Sequence, residues 1–161
     1  MDAAADLALL AATITTGIVA GLFFAYANSV MPALRSADDH AFVDVMQRIN
    51  TVILNPLFLG AFLGGLVIGV VAAIAAVAGD DGRGLVWIVA GVGLYSVMFA
   101  ITRAVNIPLN VQLAEAGTAG AIGDLDAVRD RFERRWTTWN LVRALASAAA
   151  FGCFAAATLL R

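Results

Sequence analysis

Trp136, Asn140 and Arg143 stand at i, i+4 and i+7, and Arg103, Asn106 and Asn110 stand at i, i+3 and i+7. Residues so spaced share one face of a helix. Each set aligns a guanidinium with amides, fixed donors suited to an oxygen that carries negative charge. Arg143 is the most telling of them. It directly precedes the last uncharged run, 144–160, which is barely long enough to cross a hydrocarbon layer before Arg161. A charge at that depth is costly and points to a functional site.

The elements that must position these groups are membrane helices. The chain is 61% hydrophobic and 14% charged, with a mean hydropathy of +0.88, well above a soluble domain. Uncharged runs cover 7–34, 49–79, 84–102 and 144–160. No alternating barrel pattern accompanies them, so helices are the structure that satisfies the backbone in lipid. The expected fold is all-α: one domain over 1–161, an integral membrane four-helix bundle with spans at about 7–30, 56–78, 85–105 and 140–160. The N-terminus carries Asp2 and Asp6 without Arg, so it lacks a signal peptide's basic region and the first run is expected to be retained.

The two sides are unequal. One holds the N-terminus, the turn at 79–84 and Arg161; the other holds two longer amphipathic connections, 31–54 and 104–138. Arg35, Arg48, Arg129, Arg131, Arg134 and Arg135 lie on the longer side. Counting positive charge places that side in the cytoplasm of a multi-pass cell-membrane protein, with both termini extracytoplasmic. Gly17/Gly21, Gly60/Gly64 and Gly65/Gly69 recur at four-residue spacing, which serves close packing inside a bundle or a homo-oligomer face. No internal repeat is visible, which argues against an alternating-access transporter.

Composition also excludes. A net charge of -2 gives no footprint for nucleic acid. Cys153 is the one cysteine and His40 the one histidine, which removes intrachain disulfides, Cys/His zinc clusters and bis-His haem. No phosphate-binding or dinucleotide-binding glycine motif is present. No metal and no organic cofactor is expected.

Every span turns polar at its end nearer the longer connections: Tyr26 and Asn28, Asn55 before Pro56, Arg103, then Asn140 and Arg143. Gln47 and Asn50, at i and i+3, add to that layer. Pro108 is expected to interrupt the third helix near Ala104, and Pro56 either to interrupt in the same way a helix running from 42 into the second span or to start that span at its first position. Each residue has a plain reading: Asn28 and Asn55 as helix caps, Trp136 and Trp139 as interfacial belt aromatics, Arg103 or Arg143 as snorkelling anchors. The joint pattern reads as a polar pocket in an apolar bundle. No carboxylate lies at that depth, the nearest being Glu115 and Glu133. Two buried Arg without acids await an anion. The expected partner is an apolar small molecule with an anionic oxygen, such as a phenolate, an enolate, a carboxylate or a membrane lipid's phosphate.

Gln47-Arg48-Ile49-Asn50 with Asn55-Pro56, then Asn106-Ile107-Pro108-Leu109-Asn110, then Trp136-Thr137-Thr138-Trp139-Asn140-Leu141-Val142-Arg143 resemble the DUF1772, or anthrone oxygenase, family over nearly the whole chain. That resemblance implies a cofactor-independent oxygenase that converts anthrones to anthraquinones with O2 as co-substrate. The positions it carries over are Asn50, Asn55, Asn106, Asn110, Trp139, Asn140 and Arg143, with Arg103 beside them. Chemistry then suggests roles. Arg103 and Arg143 would stabilise oxyanion charge. Asn106, Asn110 and Asn140 would position carbonyl and phenolic oxygens, and Trp136 or Trp139 would stack on the rings. Asn140 joins the two Arg as catalytic; Asn28, Gln47, Asn50 and Asn55 join the substrate-binding set. His40 and Asp44 are the nearest bases. Two other classes stay open: a non-catalytic membrane protein that binds a quinone or anionic lipid, and a purely structural bundle.

Overall fold

Apolar runs of span length dictate the architecture. The structure, a computed structural model, describes residues 3–79 and 82–160. Asp2 and Arg161, named above, lie outside the described residues, as do Asp80 and Asp81 of the turn at 79–84 and the side chain of Arg83. The chain is all-helical: α1 Ala3–Ala25, α2 Met31–Arg35, α3 Asp39–Val52, α4 Pro56–Ala78, α5 Gly82–Ile101, α6 Ile107–Glu115 and α7 Leu125–Leu160. Four continuous helical stretches, Ala3–Arg35, Pro56–Ala78, Gly84–Glu115 and Leu125–Leu160, are long and apolar enough to cross a membrane. α1 packs on α4 and α7, and α5 packs on the same two, closing a four-helix ring. The hydroxyls of Thr13, Thr16 and Ser147 bond back to carbonyls of the preceding turn, so no span exposes them unsatisfied.

The first and third spans each contain a π turn, Tyr26–Val30 and Thr102–Asn106. Each is followed two positions later by a proline, Pro32 or Pro108. A proline inside a helix removes one N–H and crowds the carbonyl four residues earlier. The wider π turn absorbs that crowding. The third helix is therefore not broken near Ala104; it runs on through a π turn that contains it. The succession of span, π turn, proline-led short helix, amphipathic segment and second span occurs in both halves. This repeat of elements is invisible in the residue types.

Three apolar layers stack along the bundle. Leu9, Ala72, Ile88 and Phe154 fill one end. Val19, Phe23, Phe62, Tyr95 and Met98 fill the middle. Met31, Phe42, Met46, Leu113, Phe132 and Trp136 form the third layer, under the connections. α3 belongs to this last layer because Phe42, Val43 and Met46 recur on one face. Arg129 fixes it there. Its guanidinium donates to the Arg35 and Ala37 carbonyls at 2.9 Å, to Asp39 at 2.8 Å and to Glu133 at 2.7 Å, and it lies 4.5 Å from the Phe42 ring. Gln47 Nε2 ties the same helix to the Leu113 and Gly117 carbonyls, both at 2.8 Å.

The glycines divide sharply. A Cβ on Gly69 would come within 2.9 Å of Phe154 Cζ, and one on Gly65 within 2.9 Å of the Tyr95 ring, whereas one on Gly60 meets nothing. Close packing accounts for Gly65 and Gly69 but not for Gly60. Gly69→Leu should lower unfolding stability in detergent by about 1–3 kcal/mol through overpacking, while Gly60→Ala should leave the SDS-unfolding midpoint in place. Equal effects would refute this account of the bundle.

Candidate functional site

The middle layer and the connection layer do not meet everywhere. Between them a cavity of about 140 Å³ opens, lined by Phe23, Tyr26, Asn50, Phe58, Phe62, Thr102, Asn110, Trp136, Asn140 and Arg143 together with aliphatic residues of α1, α3, α4 and α6. Local structure places each polar group. Asn55 accepts from the Phe58 N–H at 3.0 Å with Pro56 at the first position of α4. This cap separates α3 from α4, so Asn50, near the end of α3, faces the cavity and not lipid. The π turn in the third span sets Thr102, and α7 runs unbroken from the connection into the membrane, presenting Trp136, Asn140 and Arg143 in one row.

Arg143 is the electrostatic centre. It is 5% exposed. Its Nη2 donates to Asn140 Oδ1 at 2.9 Å and its Nη1 to Thr102 Oγ1 at 3.4 Å. The guanidinium lies 4.3 Å from the Phe23 ring centroid and 5.4 Å from that of Trp136. Ring faces attract a desolvated cation, but neutral groups do not cancel its charge. Among the described residues, no carboxylate pairs with it, and its Nε has no partner. Asn50 Nδ2 is likewise buried without a partner. Asn140 Nδ2 donates to the Phe23 carbonyl at 3.1 Å, which fixes the amide so that its oxygen faces Arg143. Trp136 Nε1 donates to Asn110 Oδ1 at 2.8 Å, orienting the indole along the cavity wall.

Of the residues expected from the sequence, the structure brings together Asn50, Asn110, Trp136, Asn140 and Arg143 around this cavity. The others lie elsewhere. Arg103 is exposed and does not line it. The i, i+3, i+7 face assumed a regular α-helix; Thr102 instead continues the buried face of Ile88, Tyr95 and Met98, and the π turn at Thr102–Asn106 shifts the register that follows, carrying Arg103 off the face of Asn106 and Asn110. Asn28 is exposed, two residues beyond the inward Tyr26 and so on the opposite side of the turn. Trp139 is half-buried on the outer surface beside Arg135 and Thr138. Gln47 is spent on the loop carbonyls described above. Asn55 is spent on its cap and on the Val52 carbonyl at 3.0 Å. Asn106 is buried and donates to the Trp136 carbonyl at 3.4 Å, a brace behind the cavity wall. His40 is exposed, and Asp44 pairs with Arg48 at 2.9 Å; neither lines the cavity. Tyr26, placed in the polar layer by its depth, does line the cavity, whereas Phe23, Thr102, Phe58 and Phe62 are lining residues that sequence reasoning missed. Two spacings could have shown two of them: Phe23 with Tyr26 at i, i+3, and Thr102 with Asn106 and Asn110 at i, i+4, i+8. Among the described residues, no group of three or more His, Cys, Asp or Glu is gathered.

The family model described as anthrone oxygenase matches residues 57–153. No curated protein and no solved structure gives a match.

The energetics of the pair can be tested without a ligand. Asn140→Leu removes the shortest bond to a buried charge and should cost about 1.5–3 kcal/mol. Asn140→Leu combined with Arg143→Met removes charge and partner together, and such apolar replacements are often neutral or stabilising. The double variant should therefore unfold at a higher SDS fraction than the single one. The reverse order would mean that Arg143 is not buried as a charge.

Proposed function

The chain belongs to the anthrone oxygenase family, and from that premise we propose that it oxidises a flat phenolic substrate of aromatic-polyketide type with O2 in the cavity around Arg143. The observation that carries the reading is a buried guanidinium whose Nε is unpartnered, in a cavity walled by Phe23, Phe58, Phe62 and Trp136. Aromatic walls suit a flat ring system. A fixed, desolvated cation suits the oxygen on which negative charge develops.

The chemistry balances with O2 alone. The substrate's activated methylene loses a proton, and the electron pair delocalises onto the ring oxygen as an enolate. Arg143 stabilises that oxyanion, with Asn140 holding the guanidinium in place. The electron-rich anion passes one electron to O2, giving a carbon radical and superoxide. The pair recombines to a peroxide, which takes up a proton. Loss of water, with a second C–H proton, leaves the carbonyl. Overall, CH2 and O2 become C=O and H2O. Placing a positive charge beside the substrate's oxygen lowers the substrate's own pKa, which reduces the demand on a protein base.

Membranes carrying the protein should convert an anthrone to its anthraquinone under O2 faster than membranes without it, with one labelled oxygen from isotopic O2 in the new carbonyl. Arg143→Ala should lower the rate roughly 100-fold or more, and Arg103→Ala, outside the cavity, should leave it within about twofold. An unchanged rate in Arg143→Ala refutes the proposal. Tight binding of an anthraquinone with no O2 uptake would instead mark a binding protein.

A further inference from the structure

Two residues that line the cavity each carry a buried side-chain N–H donor without a partner, Arg143 Nε and Asn50 Nδ2. They come from different elements, α7 and the end of α3. Two amide oxygens of the cavity lining are already occupied: Asn140 Oδ1 accepts from Arg143 and Asn110 Oδ1 from Trp136, and the unpartnered Asn106 Oδ1 belongs to a residue outside the lining. A buried donor left unmatched carries its full desolvation cost. A ligand that matches both must therefore present an acceptor to each.

Size narrows the class. The cavity volume is about 140 Å³, and an apolar cavity of about 150 Å³ accepts a benzene ring. One ring fits inside. Leu54 and Ile107 line the same cavity yet are 66% and 41% exposed, so the space reaches the surface past two aliphatic side chains. The remainder of a larger flat molecule leaves there.

We infer that Asn50 determines specificity: the cavity selects ligands whose inserted ring carries two acceptor oxygens, an anionic one on Arg143 and a carbonyl or ether-like one on Asn50. The apolar remainder projects past Leu54 and Ile107. This rests on the reading that the cavity is the substrate site, and it adds the substrate's oxygen pattern and its orientation.

Binding tests it without turnover. The full chain in detergent is titrated by calorimetry with two anions of similar size, a hydroxynaphthoquinone, whose ionised hydroxyl and carbonyls share one ring, and a naphthoate, which has a single anionic group. Asn50→Leu should weaken the hydroxynaphthoquinone roughly tenfold, the loss of one hydrogen bond, and the naphthoate less than about twofold. Arg143→Met should weaken both. The ratio between probes does not depend on the folded fraction, and Asn50→Ala measured in the same way guards against a side effect of Leu. Equal losses for the two probes, no loss for either, or no binding of the hydroxynaphthoquinone to the unmodified protein would overturn the inference. Probe discrimination without anthrone oxidation would sink the oxygenase reading alone. Oxidation without probe discrimination would sink this inference alone.

Discussion

A guanidinium buried in an apolar bundle, with no carboxylate paired to it among the described residues, is the constraint that organises this protein. Desolvating a charge costs several kcal/mol, and an unpaired charge does not recover it through a counter-ion. Arg143 is held instead by groups from three spans: Phe23 from α1, Thr102 from the third span, and Asn140 and Trp136 from α7. None of these would meet unless the helices closed into a ring at this depth. The ring packing of α1, α4, α5 and α7 and the π turn that delivers Thr102 are the conditions under which one charge is tolerated.

Arg129 shows the contrast within the same helix. It has two carboxylates, two backbone carbonyls and an aromatic face, so its charge is matched and its work is structural. By clamping the 35–39 segment it seats α3 against the bundle, and α3 in turn carries Asn50 to the cavity. One Arg is saturated and builds the roof; the other is left short of a partner beneath it. The difference between them is the supply of acidic groups, not their burial alone.

Much of this was legible in the residues. Uncharged runs marked the spans, and the polar layer at one end of each marked the depth of the site. Asn55-Pro56 offered the start of α4 as one of two readings of that proline, and the structure selects it, because a cap and a first-turn proline are local signals. Asn140 and Arg143 reach one face because α7 is regular there, so simple spacing holds. The failures have two causes. Arg103 was assigned inward by the same spacing rule, but the π turn before Pro108 carries it off the face of Asn106 and Asn110, and Thr102, in line with Tyr95 and Met98, takes the inward place. Residue types gave the proline, not the turn's register. The recurrence of that device after Tyr26 hid the likeness of the two halves, since the residues in the two turns differ while the backbone solution is the same. Gln47 and Asn106 were chemically apt but are consumed by backbone carbonyls, a choice that depends on tertiary distances no spacing encodes.

The position of the charge also bears on how a substrate could be both lipid-soluble and reactive. A phenolic molecule partitions into hydrocarbon only while neutral, because an oxyanion there is strongly penalised. The cavity reaches the surface past Leu54 and Ile107, which suit a neutral apolar face. Within it, the charge available to an oxyanion is that of Arg143. On the proposed reading, ionisation and arrival are one event: the substrate enters neutral and becomes the electron-rich anion only where a matching cation waits. The resulting anion is then held away from bulk water in an aromatic-walled space that apolar O2 can share. A carboxylate paired with Arg143 would stabilise the bundle and abolish that coupling. On that reading, the unmatched charge is the cost in stability that would make the site selective for a molecule able to shed a proton.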